Sequence, residues 1–205
     1  MKNNITGYNL INLADLLTEL GEDRTKSILL AYCCPMNEDV EYFLKDKAIE
    51  FSKQGLAKTH LVFSSFQGEP VLIGYFALSS KTIRIAKKAL SNTLQKRINK
   101  FATYAPELKS YQISAPLIAQ LGKNYCNEYN RLITGDELLK IACDQVMEVH
   151  NLLGGKIAYL ECQDQKSLIE FYERNGFVNF GKRYLDKEEA DRVHGKYYIQ
   201  MLKYF

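Results

Sequence analysis

Two stretches of the chain carry residue types at spacings that suit chemistry. One is Thr134-Gly135-Asp136-Glu137, ahead of an apolar run; the other is the segment from Glu161 to Tyr172. Thr134 followed three positions later by Glu137 fits a capping box, in which hydroxyl and carboxylate each satisfy a backbone N–H of the other residue. A helix start also offers unpaired N–H groups and the positive end of the helix dipole, and so favours an anion. Tyr172 carries a phenol that ordinarily ionises near pH ~10 and is protonated at neutral pH. On residue type alone it reads as an amphipathic core residue with its hydroxyl at the surface. Glu161, near the end of the strand before Tyr172, reads on its own as a helix-cap or salt-bridge carboxylate.

Other reactive groups are dispersed. The five cysteines (Cys33, Cys34, Cys126, Cys143, Cys162) form no CxxC pair, and His60, His150 and His194 lie far apart. Zinc-ligand spacing is therefore lacking, and no metal site is expected. The thiols are read as reduced bystanders, with at least one of Cys33 and Cys34 a small core residue. Residues 81–100 hold Lys81, Arg84, Lys87, Lys88, Lys96, Arg97 and Lys100 and no acid. They fit a solvated helix face, with Ala86, Leu90, Leu94, Ile98 and Phe101 as its apolar stripe. A patch for a polyanion such as RNA is the other reading.

The elements that must position these groups follow from periodicity. At 205 residues, 46% hydrophobic and 25% charged, the chain suits one globular core. No run nears the ~18 apolar residues that span a bilayer. The N-terminus MKNNITGYNLINLADLL lacks an apolar core with a small-residue cleavage site. A soluble cytoplasmic protein without membrane contact is expected. With neither repeats nor a linker, a single domain over 1–205 is expected, with 1–28 as an N-terminal helical extension.

Helices are expected at 12–20, ending at Gly21, and after Asn37 to Gly55, with the basic stretch as a third. Asp164 is expected to cap a helix over QKSLIEFYERN that Gly176 ends, and the capping box should open a helix closed by Gly154-Gly155. Strands are expected at LLAYCCP, in a hairpin around Gln67-Gly68-Glu69, and through LKSYQISAPLIAQLGKN, with Pro116 inside it. KIAYLEC, FVNFGKRYL and KYYIQMLKYF complete the set, the last two around a polar loop at 187–195. The alternation gives a mixed α/β sandwich.

PLIAQLGKN…NRLITGDELL and KIAYLECQDQKSLIEFYERNGF resemble the GNAT (GCN5-related N-acetyltransferase) family. The second segment matches the family's strand, helix ending in a Phe/Leu-Tyr pair, then Gly-Phe, here Phe171-Tyr172 and Gly176-Phe177. The resemblance runs from about residue 29 to the C-terminus. It implies a GNAT-like α/β fold: a mixed, mostly antiparallel central sheet, helices on both faces and a splayed strand pair. It also implies an acyltransferase that moves acetyl from acetyl-CoA to a primary amine, with Tyr172 protonating the departing thiolate and Glu161 or water taking the amine proton.

Backbone groups of Leu121, Gly122 and Lys123 are implied to pair with pantetheine, and the diphosphate to meet Asn130, Arg131, Leu132, Ile133, Thr134, Gly135 and Asp136. The family's Gln/Arg-x-x-Gly-x-Gly/Ala loop keeps Gly135, but Ile133 stands at a usual glycine. A β-branched residue there resists positive φ and brings bulk near a phosphate. Asp136 and Glu137 add negative charge. A GNAT-fold module that binds CoA or a protein without catalysis is thus the alternative.

NEDVEYFLKDKAIEF…LAKTHLVF…GYFALSS resembles the front of small GNAT toxins that acetylate aminoacyl-tRNA, which the 81–100 stretch would suit; the same stretch could meet the 3′-phosphate of CoA. Small-molecule and peptide amines remain open as acceptors, as does a homodimer. Specificity is expected from residues 1–28 and 187–195.

Overall fold

Residues 4–5, 7–185 and 196–205 are described in a computed structural model of the chain. Along them run β1 (Asn4–Ile5), β2 (Tyr8–Asn12), α1 (Leu13–Leu20), α2 (Glu22–Leu30), α3 (Glu38–Tyr42), α4 (Ala48–Lys53), β3 (Lys58–Phe66) and β4 (Glu69–Ala86). Then follow α5 (Asn92–Ile98), β5 (Thr103–Ala105), β6 (Ser110–Lys123), α6 (Gly135–Leu153), β7 (Ile157–Gln163), α7 (Lys166–Arg174), β8 (Val178–Tyr184) and β9 (Tyr197–Tyr204). The fold is mixed α/β with a mostly antiparallel sheet, as the sequence implied.

Two compact units divide the chain: residues 1–79 with 118–144, and 80–117 with 145–205, so β4, β6 and α6 each contribute to both. The first unit uses strands in the order β1-β2-β3-β4-β6 and the second in the order β4-β6-β7-β9-β8. In the first unit the core gathers Leu13, Leu29, Tyr32, Leu44, Leu61 and Tyr75, each fully buried. In the second, Ile85, Ile98, Ile157, Tyr159 and Leu202 do the same. Each such side chain contributes about 1.5–3 kcal/mol by leaving water.

Local signals set many of the boundaries. Asn12 caps α1, its side chain accepting from Ala14 N–H at 2.9 Å, and Asn37 caps α3 by accepting from Asp39 and Val40 N–H. A π-helical turn, Phe43–Lys47, joins α3 to α4, and Gly55 beyond α4 takes φ +72°. Gln67 and Gly68 both have positive φ and sit between the paired Phe66 and Glu69, the two-residue hairpin turn whose twist matches its strands.

Other expectations fail where a short pattern fits two periods. LLAYCCP is not a strand: Leu29 and Leu30 finish α2, and Tyr32 is a buried anchor in the irregular stretch after it. The basic stretch is α-helical only over Asn92–Ile98, because Ile83 and Ile85 are buried while Arg84 and Ala86 are exposed, a period of two that extends β4. Asp164 does not cap α7; it accepts from the Tyr197 hydroxyl at 2.6 Å, and Gln165 precedes the helix without a side-chain cap. Residues 8–12 fall within the expected 1–28 helical extension but pair as a strand with β3 (Leu10 opposite Val62). The 187–195 loop lies outside the described residues.

At Gly122 the packing admits no side chain. A Cβ there would stand 2.4 Å from the Tyr32 hydroxyl and 2.5 Å from Val40 Cγ1. We expect Gly122→Ala to lower the urea-unfolding free energy by about 1–3 kcal/mol through overpacking. An unchanged midpoint and slope would show the site to be looser than described.

Candidate functional site

In the first unit, β6 runs out at Leu121, Gly122 and Lys123, all half-buried. Asn124, 1% exposed, ends it. Its N–H donates to Ile73 O at 2.8 Å and its Nδ2 to Leu72 O at 2.8 Å, while its Oδ1 accepts from Cys33 and Cys126 N–H, each at 3.0 Å. Three of these hydrogen bonds tie the end of β6 to β4 and to the stretch after α2, and the fourth turns the chain back at Cys126. Past Asn124 the chain makes 3-10 turns in which Asn127 and Glu128 are left-handed (φ +49° and +60°).

The loop from Asn130 to Thr134 is held at several points. Lys123 Nζ donates to Asn130 O at 3.0 Å, and the Tyr8 hydroxyl donates to Leu132 O at 3.3 Å. Arg131 pairs with Glu128 at 2.9 Å on the exposed side. Ile133 does not do what its β-branching threatened. Its φ lies outside the left-handed region, and its side chain is 2% exposed, so its bulk belongs to the core. The left-handed turn falls at Asn127 and Glu128 instead.

The start of α6 is the expected capping box. Thr134 N–H donates to Glu137 Oε2 at 2.7 Å, Glu137 N–H donates to Thr134 Oγ1 at 3.1 Å, and the Thr134 hydroxyl also donates to Glu137 Oε2 at 2.7 Å. The Thr134 N–H and hydroxyl, with a lesser contribution from Tyr8, hold the Glu137 carboxyl below its usual range. Two amides of this helix start are therefore occupied by an internal carboxylate–hydroxyl pair, and Asp136 adds a second acid beside them.

In the second unit, Tyr172 is fixed by the way α7 ends. Gly176 N–H donates to Glu173 O at 2.9 Å and Phe177 N–H to Tyr172 O at 3.0 Å, with Gly176 at φ +84°: a Schellman motif. The ring contact that accompanies such a motif is made by Tyr172 and Phe177, 5.8 Å between centroids, with Phe171 at 4.9 Å on Tyr172's other side. The Gly-Phe pair singled out in the sequence is thus the clamp that aims the tyrosine. Burial, and then the charge of Cys162, push the Tyr172 hydroxyl above its ordinary value, so it keeps its proton at neutral pH.

Glu161, 12% exposed, is committed elsewhere. Arg183 Nε donates to both its carboxylate oxygens at 2.8 Å, Arg183 Nη2 lies 2.8 Å from Oε2, and Lys81 lies 3.2 Å from Oε1. The Tyr159 hydroxyl also donates to it and in turn accepts from Gln200 at 2.8 Å. Burial works to raise the carboxyl, but the Arg183 and Tyr159 hydrogen bonds and the Lys81 charge outweigh it and hold it below the usual range. A carboxylate so neutralised is a poor proton acceptor at neutral pH, so the expectation of Glu161 as the base loses its physical footing.

Sequence reasoning missed Asn124, Tyr8 and Arg183, each of which acts on a residue far away in the chain; an asparagine closing a long strand was the one faint signal. Arg84, Lys87, Lys88, Lys96, Arg97 and Lys100 are exposed, and Lys81 is drawn to Glu161. No group of three or more metal-ligating side chains occurs among the described residues, nor any helix long and apolar enough to cross a membrane.

Comparison with solved structures decides the fold. A tyrosine-to-phenylalanine mutant of KacT matches with a TM-score of 0.61 at 16% identity, over 95% of this chain and 94% of that one. AtaT complexed with acetyl-methionyl-tRNAfMet matches with a TM-score of 0.62 at 14% identity, over 94% and 93%. The chain has the GNAT fold. AtaTR bound with AcCoA matches with a TM-score of 0.55 at 13% identity, over 94% and 92%. No family model and no curated protein sequence matches the chain.

Because its folded-state pKa is depressed, Glu161 stabilises the GNAT fold fully above the ordinary ~4.3 and progressively less as pH falls through the folded value. We expect Glu161→Gln to cost about 1.5–3 kcal/mol at pH 7, the range for hydrogen bonds to charged groups. The deficit against the parent should shrink below about pH 4 in urea titrations. A deficit independent of pH would mean that the carboxylate's charge is not what matters.

Proposed function

We propose that this protein is an acetyl-CoA-dependent N-acetyltransferase, in which Tyr172 protonates the thiolate that departs when a primary amine takes the acetyl group. The observation that carries the reading is the Schellman clamp at Gly176-Phe177, which holds a protonated, half-buried tyrosine at the family's motif position. The likeness in fold to structures named for AcCoA and for acetyl-methionyl-tRNA supports it.

Acetyl-CoA supplies an activated thioester. The backbone of Leu121, Gly122 and Lys123 is given the pantetheine. Asn130, Arg131, Leu132, Ile133, Thr134, Gly135 and Asp136 are given the diphosphate, with Ile133 contributing backbone alone because its side chain is buried. In the reaction the amine nitrogen bonds to the acetyl carbon, the carbon–sulfur bond breaks, and the sulfur takes the Tyr172 proton. A thiol ordinarily ionises near ~8.5 and a phenol near ~10, so the transfer runs uphill and is completed as the tyrosinate regains a proton from water. The proton released by the amine passes to water, since Glu161 is bound by Arg183 and Lys81. Among acceptors, the amino group of an aminoacyl-tRNA is favoured over small-molecule or peptide amines by the AtaT likeness and by the exposed cations of 84–100.

A second reading, a GNAT-fold binding module without catalysis, draws on the capping box. Glu137 already answers the Thr134 amide that a diphosphate would use.

Saturating acetyl-CoA separates the two. A ligand at 100 times its Kd stabilises by about 2.7 kcal/mol, which a thermal melt registers as a rise of several degrees. On the enzyme reading, Tyr172→Phe lowers acceptor-dependent release of free CoA thiol by about 10²–10⁴-fold, the range for a lost general acid, and leaves the acetyl-CoA-induced melt shift intact. No melt shift with acetyl-CoA would favour the binding module; full turnover in the variant would remove Tyr172 from its role.

A further inference from the structure

Where the stretch after α2 meets the end of β6, two thiols face each other and nothing assigned above uses them. Asn124 Oδ1 accepts from the N–H of both Cys33 and Cys126, and Tyr125 N–H donates to Cys33 O at 2.8 Å. Three hydrogen bonds thus hold the backbones side by side at residues 93 apart in sequence. The Cys126 S–H donates to Cys33 Sγ at 2.6 Å. Both residues are partly exposed, whereas Cys34, Cys143 and Cys162 are buried.

We propose that Cys33 and Cys126 are a modification site: a reversible disulfide formed by reaction with a hydroperoxide, joining the stretch after α2 to the turn that leads into the Asn130–Thr134 loop. A disulfide spans ~2.05 Å between sulfurs, so the pair closes by a shift of about half an ångström. The site stands on its own geometry, whether or not the acetyltransferase reading holds.

Burial, and then the hydrogen bond to Cys33, push the Cys126 thiol up to about 11. Because the Cys126 S–H is already engaged as donor to Cys33 Sγ, Cys33 is the sulfur that reacts first. The Cys33 sulfur bonds to a peroxide oxygen, the O–O bond breaks, and the Cys33 proton leaves with the second oxygen as water. This leaves a sulfenic acid on Cys33. The Cys126 sulfur then bonds to the Cys33 sulfur, the S–O bond breaks, and hydroxide departs with the Cys126 proton as a second water. Two thiols and one hydrogen peroxide give one disulfide and two waters; the two sulfurs supply the two electrons that the peroxide takes. A dithiol reductant reverses the change.

The test treats the full chain with stoichiometric hydrogen peroxide, blocks remaining thiols with iodoacetamide, and maps peptides by mass spectrometry without reductant. The expected product is a single cross-linked peptide pair, Cys33 to Cys126, two hydrogens lighter than the thiol peptides and abolished by dithiothreitol. It should be absent from Cys33→Ser and Cys126→Ser. The oxidised parent should also melt at a higher temperature than the reduced one, because the link restricts the unfolded chain, and should fall back on reduction. The proposal is overturned by sulfinic or sulfonic acid without a cross-link, by a link through Cys34, or by a link only between two copies. Mapping of the parent decides the matter even if a serine variant fails to fold.

Discussion

Backbone N–H and C=O groups left over where regular structure stops must find partners, and at three such ends this chain uses side chains or a glycine turn to provide them. Asn124 does so where β6 ends, Thr134 with Glu137 where α6 begins, and Gly176 with Phe177 where α7 ends. Each solution fixes more than the backbone it satisfies. The Asn124 amide decides which two cysteines meet. The Thr134–Glu137 pair sets the charge at the helix start. The turn at Gly176 sets Phe177 edge-on against the Tyr172 ring and so fixes the phenol at the family's motif position.

The electrostatic pattern follows from the same accounting. Glu161 is buried and would be costly alone; Arg183, Lys81 and Tyr159 offset that cost and in doing so remove its basicity. At Tyr172 burial is the largest influence; it raises the pKa and the hydroxyl retains its proton. Two polar side chains of one unit are thereby driven to opposite roles, one a fixed charge and the other a neutral donor.

What could be read from the sequence were the rules that act within one turn. The capping box, the glycine after α7, the Gln67-Gly68 hairpin and the Asn37 cap all depend on neighbours within a few positions. Segments that fit two periods were misread: Ile83 and Ile85 belong to a strand although the residues around them also fit a helical stripe, and Leu29-Leu30 end a helix although they open an apolar run. Long-range pairings were invisible. Nothing in the chain announces that Asn124 reaches Cys33, that Tyr8 reaches Leu132, or that Arg183 rather than a substrate claims Glu161. Ile133 is instructive, because its mismatch with the family loop suggested obstruction, whereas its side chain turns into the core and the left-handed residues sit earlier.

The account rests most heavily on acetyl transfer from a thioester to an amine. Radiolabelled acetyl-CoA incubated with the full chain and a pool of aminoacyl-tRNAs, alongside a panel of free amines, tests this directly. The account predicts label bound through an amide to the amino group of an acceptor, accumulating in proportion to enzyme. Label confined to acetyl-CoA and free acetate across every acceptor, with the protein shown to be folded, would contradict it.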